Sequence, residues 1–543
     1  MLEHLHIGRA SDLARPSDRR LYRFFEMVPG LLAWGTLILV FVGSYYTPGY
    51  AALFIILFDI YWLVKTTYLS FHLRYGYVQA RRNMKINWLE KIETRDIYHL
   101  VILPTYKEDI AVIRDSLDGL VKSNYPKDRM IVVLAQEERA GSDHNNFIKN
   151  ALESEFKNIF FAFSSVQHPD VIAGELAGKG ANVTWACKQV LRNTIDLPRG
   201  KAGEKRIPHD RVIVSVFDID TVVYPEYFGI LTHAFLTTPN PLRASYQPVP
   251  FFVNNIWDAP ALARIVAFSS TFWQTIQQAR PENLITFSSH SMPLQAVMDI
   301  GFWQTNMVSE DSRVFWQCLL RYDGDYRVVP LYYPVSLDAN LDKTFFKTMV
   351  SVYKQHRRWG YGAENVPYYL FGFLKNKKIA LGKKLFYALA VGEGYWSWAT
   401  NAIMLFVLGW LPGFIGGSHF NSSVLSFNQT QFTNIAMRLA MLALLTPAIM
   451  SFFILPPRPA HASRWRYIPM ILQWLLFPIT TIFFGAIPGL EAQTRLMLGR
   501  YMGFWVTPKY RRSTSQYTNE SKSTNKEHPN IQMDPNLRIG DGE

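Results

Sequence analysis

The sequence predicts an α/β domain with a largely parallel sheet, set between α-helical segments long enough to cross a membrane. Three observations carry this. Residues 28–46 hold no charge and residues 51–71 only Asp59 and Lys65, and each stretch is long enough to span a bilayer. Residues 97–340 are mixed and charged, with short apolar runs alternating with helix-like stretches, as strands alternate with helices in a parallel sheet. Long apolar segments then return at 394–414, 435–455 (Arg438 near its start) and 467–490.

The chain has 543 residues, too many for one ordinary domain. Residues 1–27 form a basic flank with Arg9, Arg15, Arg19, Arg20 and Arg23, and 28–72 make two transmembrane helices. A cleaved signal peptide is disfavoured, because no small-residue cleavage site follows and a second apolar stretch comes at once. The link 456–466 carries three arginines and no acid, whereas 412–433 and the turn 47–50 carry no Lys, Arg, Asp or Glu. The positive-inside rule therefore puts the N-terminus, the insert and the 456–466 link in the cytoplasm. The expectation is an integral multi-pass protein of the plasma (inner) membrane. A net charge of +13 suits membrane lipids of an anionic leaflet and an anionic substrate. No nucleic-acid-binding signature appears, which argues against nucleic acid as a partner. Cys187 and Cys318 lack metal-ligand or CxxC spacing and read as packing residues.

The cytosolic domain, 73–345, opens with "HLVILPTYKED" (99–109), an apolar strand running into a polar loop. From Asp109 to Val121, apolar Ile110, Ile113, Leu117, Leu120 and Val121 recur at helical spacing. "IVVLA" (131–135), 159–163 and 212–217 are further strands. Ligands of such sheets bind beyond the carboxyl ends of strands, where Thr105–Asp109 and Asp218–Asp220 fall.

Asp218 and Asp220 close an apolar run. Alternate residues of an extended strand point the same way, so both carboxylates aim at one place and need a cation between them. Taken alone, such a pair is more often a solvated turn, by roughly two to one. Its place at the end of a buried strand favours Mg²⁺ or Mn²⁺ with a diphosphate. "VSEDSRVFW" (308–316) sets Glu310 and Asp311 at a helix start with Ser309 as cap, where acids also serve the helix dipole. "YKQHRRWGYG" (353–362) gathers Gln355, Arg358 and Trp359, which also suits an interfacial amphipathic helix. "AGKGANV" (177–183) offers Lys179 between glycines, to cradle phosphate or simply to turn.

Together these stretches resemble, in order, the membrane-embedded family-2 glycosyltransferases, the group that includes cellulose, hyaluronan and chitin synthases. The resemblance covers about residues 28–510. The family's nucleotide loop is matched by Pro104, Thr105, Tyr106 and Glu108, and its lysine loop by Lys179-Gly180-Ala181-Asn182. Its DxD is Asp218 and Asp220, its Thr-Glu-Asp is Ser309-Glu310-Asp311, and its Gln-x-x-Arg-Trp is Gln355, Arg358 and Trp359. "GFWVTPK" (503–509) is similar to its gating loop, giving Phe504, Val506, Thr507 and Lys509. Two departures stand out. Where the family has an Asp after the second strand this chain reads "VLAQEERAG", with Glu137 or Glu138 as substitutes. The acceptor-side Phe-Cys-Gly-Ser reads "FSSHS" (287–291), so acceptor identity does not carry over.

The resemblance implies a GT-A-like fold and a UDP-sugar donor. Tyr106 would stack on the base with Glu108 bonding it, Asp218 would touch ribose or phosphate, and Asp220 would hold the metal. Arg358 would clamp phosphate, and Asp311, beside Glu310, would be the general base. Trp359 would meet a glycan or lipid-linked acceptor, and the product would be a β-linked polysaccharide, made with inversion. The runner-up is transfer of a single sugar to lipid. A catalytically inactive scaffold of a secretion system is a third reading, opposed by the intact acids. Residues 346–385 would be interfacial amphipathic helices, 386–490 the C-terminal membrane region, 491–510 an interfacial helix with the gating-loop-like segment, and 511–543 a disordered tail. Five spans would leave the chain outside after residue 490, so either 467–490 turns back near Pro478 as a re-entrant hairpin, the favoured expectation, or one span is miscounted.

Overall fold

The computed structural model describes residues 2–93, 96–196, 206–443, 445–460 and 462–511; the expected tail lies outside these apart from Arg511. Among them a single eight-stranded sheet organises residues 98–337: β1 (Tyr98–Thr105), β2 (Met130–Glu137), β3 (Ala162–His168), β4 (Val212–Val216), β5 (Val222–Val223), β6 (Ala244–Phe252), β7 (Ser291–Pro293) and β8 (Arg327–Leu337). Their order is β3-β2-β1-β4-β7-β6-β8-β5.

The half β3-β2-β1-β4 is parallel. Beyond it, β7 runs antiparallel to β4 and β6, β6 and β8 are parallel, and β5 is antiparallel to β8. The sheet as a whole is mixed, with the longer ladders parallel and the short ones antiparallel. An apolar run reports that a strand is buried on both faces, not which way its neighbour points. β3 also lies later than the 159–163 expected. It is an edge strand, bonded to β2 alone, so Ser164, Ser165 and Gln167 need no apolar cover. Phe160 and Phe163, which suggested the earlier start, are buried in the core.

Both sheet faces are covered. Leu100, Ile102, Val212 and Val214 face a layer that includes helices Lys179–Val190 and Glu310–Arg321, and both cysteines sit there, buried and unbonded. Val101, Leu103, Val132 and Ile213 face the opposite layer, with helix Ile110–Lys122. That helix starts as its sequence predicts: Asp109 accepts a hydrogen bond from Ala111 N at 2.8 Å, a standard N-cap.

By length and composition three helices suffice to cross a membrane, Pro16–Tyr46, Pro48–Asn83 and Arg464–Met497, and a fourth if Leu381–Phe406 and Leu408–Ile415, bent by 49°, form one span. The stretch 435–455 falls in helices Val424–Ala443 and Leu445–Phe453. The hairpin expected near Pro478 is absent, since residues 464–497 form one continuous helical run. Pro478 follows the 3-10 turn Gln473–Leu476 and enters at the start of the next helical turn, where its missing N–H costs nothing. Both ends of this run touch the sheet domain or the helix that follows it. Arg466 donates to Trp257 O and Arg264 to Gln473 near its start, and Gly489 meets Gly360 near its end.

Pro48–Asn83 docks on the sheet domain through helix Ala261–Gln278. The backbones meet at Gly76, where an added Cβ would lie 2.5 Å from Thr275 O. Gly76→Ala is expected to destabilise the purified protein by about 1–3 kcal/mol, because packed backbone cannot yield. Gly35→Ala, which meets nothing within 4 Å, should be neutral or stabilising through helix propensity. Equal melting temperatures for the two variants in detergent would contradict this account of the contact.

Candidate functional site

The carboxyl ends of β1, β2, β4 and β8 converge. After β1 the chain turns at Thr105, and Glu108 holds the turn, accepting from Thr105 Oγ1 at 3.0 Å and Tyr106 N at 2.7 Å. Tyr106 is thereby presented at the rim. The Arg139 guanidinium lies 4.5 Å from its ring centre, within cation–π range. Arg139 comes from the turn after β2 and is paired with Glu137, while Glu138 accepts from Asp170 N. Of the two glutamates offered as substitutes for the missing Asp, Glu137 is thus the one linked to Tyr106.

Beyond β4 the extended geometry fails. The strand stops at Val216, and Thr221 N bonds Asp218 O at 2.9 Å, closing a turn that sends the two carboxylates to different partners. Asp218 accepts from Lys179 Nζ at 2.6 Å and Ser288 Oγ at 2.5 Å. Asp220, wholly buried, accepts from Lys509 Nζ at 2.5 Å and Asp338 N at 2.9 Å. The cations beside the acid pair are therefore two lysines, one on each carboxylate. Burial alone would raise the Asp218 carboxyl; Lys179, Lys509 and the Ser288 hydroxyl outweigh it and hold the group well below the ordinary range. Ser288 is aimed by Ser289, whose backbone is left-handed at φ 66° and whose hydroxyl meets Thr221. Strain of this kind costs about 1–3 kcal/mol and concentrates at functional sites.

Glu310 and Asp311 open helix Glu310–Arg321. Ser309 stands at the cap position but its side chain caps nothing, which corrects that expectation. Instead Glu364 accepts from Val308 N at 3.1 Å and Ser309 N at 2.9 Å. Burial raises both Glu310 and Asp311 above the ordinary carboxyl range, and Lys179 and Arg358 pull against it. Lys179 itself is held protonated by Asp218, Glu310 and Asp311 despite its burial.

Helix Phe345–Gly360 supplies the remaining wall. Gln355 accepts from Asn340 at 3.2 Å. Arg358 lies 4.9 Å from the Phe504 ring centre, and Trp359 packs between Phe252 and His356. Neighbouring Arg357 turns away to Glu491. The segment after Met497 has neither helix nor strand and crosses the mouth of the site. Phe504 lies on Gly178, where a Cβ would meet its ring at 2.8 Å, so only glycine admits this approach. Thr507 is buried, Lys509 reaches Asp220, and Arg511 takes Asp338 in a fork of 2.8 and 3.1 Å and also pairs with Asp115.

All thirteen residues singled out from sequence line this region, Tyr106 and Glu108 at one rim and Gln355 and Trp359 at the other. Sequence reasoning missed Arg139, Ser288, Asp338 and Arg511. Asp338 carried a usable signal, since it ends the apolar run of β8 as Asp218 ends that of β4. Among the described residues no group of three or more His, Cys, Asp or Glu is arranged to hold a metal; the oxygen open to one is Asp220 Oδ1, buried and without a partner among the described residues, a hard ligand of the kind that suits Mg²⁺ or Mn²⁺ beside substrate phosphates.

No family model and no curated protein sequence matches the chain. Solved structures that it resembles are glycosyltransferases. A mannosyltransferase from Pyrobaculum calidifontis, in complex with GDP-Man and Mn²⁺, is 15% identical, with 82% of this chain and 99% of that one covered and a TM-score of 0.39. S. aureus TarS residues 1–349 with UDP-GlcNAc is 13% identical, covering 63% and 92%, at 0.29; with UDP it is 11% identical, covering 76% and 94%, at 0.33. Likeness at this level carries no inference about chemistry.

Proposed function

We propose that the chain is a membrane-bound inverting glycosyltransferase of family 2 that draws on a UDP-sugar to build a β-linked polysaccharide and pass it through the membrane. The observation that supports this is the meeting of two acid pairs from separate elements, Asp218 with Asp220 and Glu310 with Asp311, around Lys179 and Arg358.

Each residue then has work to do. Tyr106 and Arg139 present flat faces to the base, with Glu137 fixing the arginine. Asp218 and Lys179 bind ribose and phosphate, Arg358 clamps phosphate oxygens as only a guanidinium can, and Thr507 and Lys509 close over the diphosphate. Asp220 would hold Mg²⁺ or Mn²⁺, which when bound supplies positive charge to the departing diphosphate. Asp311 takes the proton of the acceptor hydroxyl. That oxygen forms the new bond to the anomeric carbon from the face opposite the diphosphate, whose bond breaks with the electron pair going to phosphate. The carbon inverts.

Helices Pro16–Tyr46 and Pro48–Asn83, with two further crossings at 381–415 and 424–453, return the chain to the side on which it started. The run 464–497 then lies along the membrane boundary, since both its ends touch the cytosolic domain. No hairpin is needed to bring Lys509 to Asp220, and the catalytic domain faces the cytoplasm of the plasma (inner) membrane by charge bias.

The test is turnover of a panel of UDP- and GDP-linked sugars by the purified protein, with product sizing. Release of nucleoside diphosphate with a ladder of long products is expected; no turnover from any donor would sink the reading, and a single added sugar would replace polymerisation by the runner-up. Trp359→Ala should shorten the products while donor affinity stays within about twofold, because an aromatic face holds the growing end by apolar contact and the phosphate ligands are untouched.

A further inference from the structure

Arg313 takes no part in the steps above, yet it is wholly buried and two residues from Asp311. Its Nε donates to Asn365 Oδ1 at 2.7 Å, Nη1 to Ile7 O at 2.8 Å and Gln304 Oε1 at 2.7 Å, and Nη2 to Glu364 O at 3.0 Å. The guanidinium carbon stands 3.9 Å from the Tyr368 ring centre. Four of the five donors of a rigid planar fork are thus used, on four partners from three separate segments. One of these is an N-terminal strap. Leu5 O accepts from Gln317 and Tyr368 on the same face, and Ala10 N donates to Glu26, which also accepts from Tyr501, the residue that begins the segment carrying Lys509.

The geometry has a direct bearing on the base. Helix residues two apart point about 200° apart. With Arg313 pinned into the packed interior, Asp311 must face the opposite way, toward Lys179 and Arg358. The helix has no side-chain cap of its own at Ser309, and at its first turn Glu364 and Asn365, which bond Val308, Ser309 and Ser312, are both held by Arg313. We infer that Arg313 is a positioning residue for Asp311, and that the strap around Leu5–Ala10 is the anchor against which it holds the catalytic helix. This rests on the reading of Asp311 as the base. A lysine keeps the charge but bonds through one point, so it cannot hold three segments at once.

Arg313→Lys is the first variant and Gln317→Met, which removes one of the two bonds to Leu5 O without touching the fork, the second. For Arg313→Lys, kcat per folded molecule should fall about 10- to 100-fold, the effect of a misplacement near 1 Å, while UDP affinity and donor KM stay within about twofold. The acid limb of its kcat profile should move, since Asp311 changes its distance to Lys179, Arg358, Asp218, Glu310 and Tyr395, the groups that face it. Gln317→Met should show the same split at about three- to tenfold. Hydrogen exchange, which needs no turnover, should speed up together in the peptides covering 4–12 and 308–316 in both variants. Unchanged kcat with only a lower melting temperature, or kcat and UDP affinity falling in parallel, would overturn the inference; if Arg313→Lys does not fold, the same criteria apply to Gln317→Met. Linked exchange in a protein that turns over no donor would refute the glycosyltransferase reading and leave the anchor role of Arg313 standing, whereas exchange confined to one of the two peptides would refute that role.

Discussion

Asp311→Asn abolishes sugar transfer in the expected result, lowering kcat by about 10²–10⁴-fold, the usual loss of a general base, while UDP and donor still bind. The carboxylate is the part of the site best placed to take a proton. Burial raises it above the ordinary carboxyl range, which makes it the more basic, and Lys179 and Arg358 pull against the rise. Asparagine keeps the shape and, through its carbonyl oxygen, the bond from Ser312 N. It has no basic oxygen to receive a proton. Asp218 and Lys179, the phosphate ligands proposed above, are untouched. Wild-type turnover in the purified mutant would reduce Asp311 to a helix-start residue.

The second large effect is at Asp220. Asp220→Ala should abolish activation by Mg²⁺ or Mn²⁺ and cost about 10²–10³-fold, the scale of removing one preorganised electrostatic contact at a developing charge. In the structure Lys509 pairs with Oδ2 of this buried carboxylate, while Oδ1 has no partner among the described residues; Oδ1 would hold Mg²⁺ or Mn²⁺, which would supply positive charge to the diphosphate. Weak UDP binding without metal and tight binding with it follow for the wild type. Titration calorimetry of UDP with and without chelator measures both. Full activity of the wild type in excess chelator would refute the metal role.

Much of this was legible before any coordinates. Asp109 and the spacing behind it gave a helix and its cap, because those signals are local. The strand-end acids and Gln355–Trp359 were legible for the same reason. What escaped depends on contacts distant in sequence. Nothing in "QEERAG" says that Arg139 will lie on Tyr106, and nothing in "PKYRR" says that Lys509 will find Asp220. The mixed half of the sheet escaped because β7 has three residues, too few for any period. Pro478 misled by its usual meaning, and the 3-10 turn before it supplies a setting in which proline starts a turn instead of ending one.

Lys509 stands 289 residues after Asp220, and this separation has a consequence in time. At about 5–20 residues per second, tens of seconds pass on the ribosome between the appearance of the acid and that of its cation. Through that interval the acids have Lys179 as their early counter-ion, strands β5 to β8 are added to the sheet, and both Phe504 and Arg511 are still to come. The nascent domain therefore has an open, acidic mouth, and it closes only when the segment that bonds Glu26 through Tyr501 has left the tunnel. Closure of the site and completion of its membrane-side packing are one late event, so a protease acting during synthesis meets a different molecule from one acting afterwards.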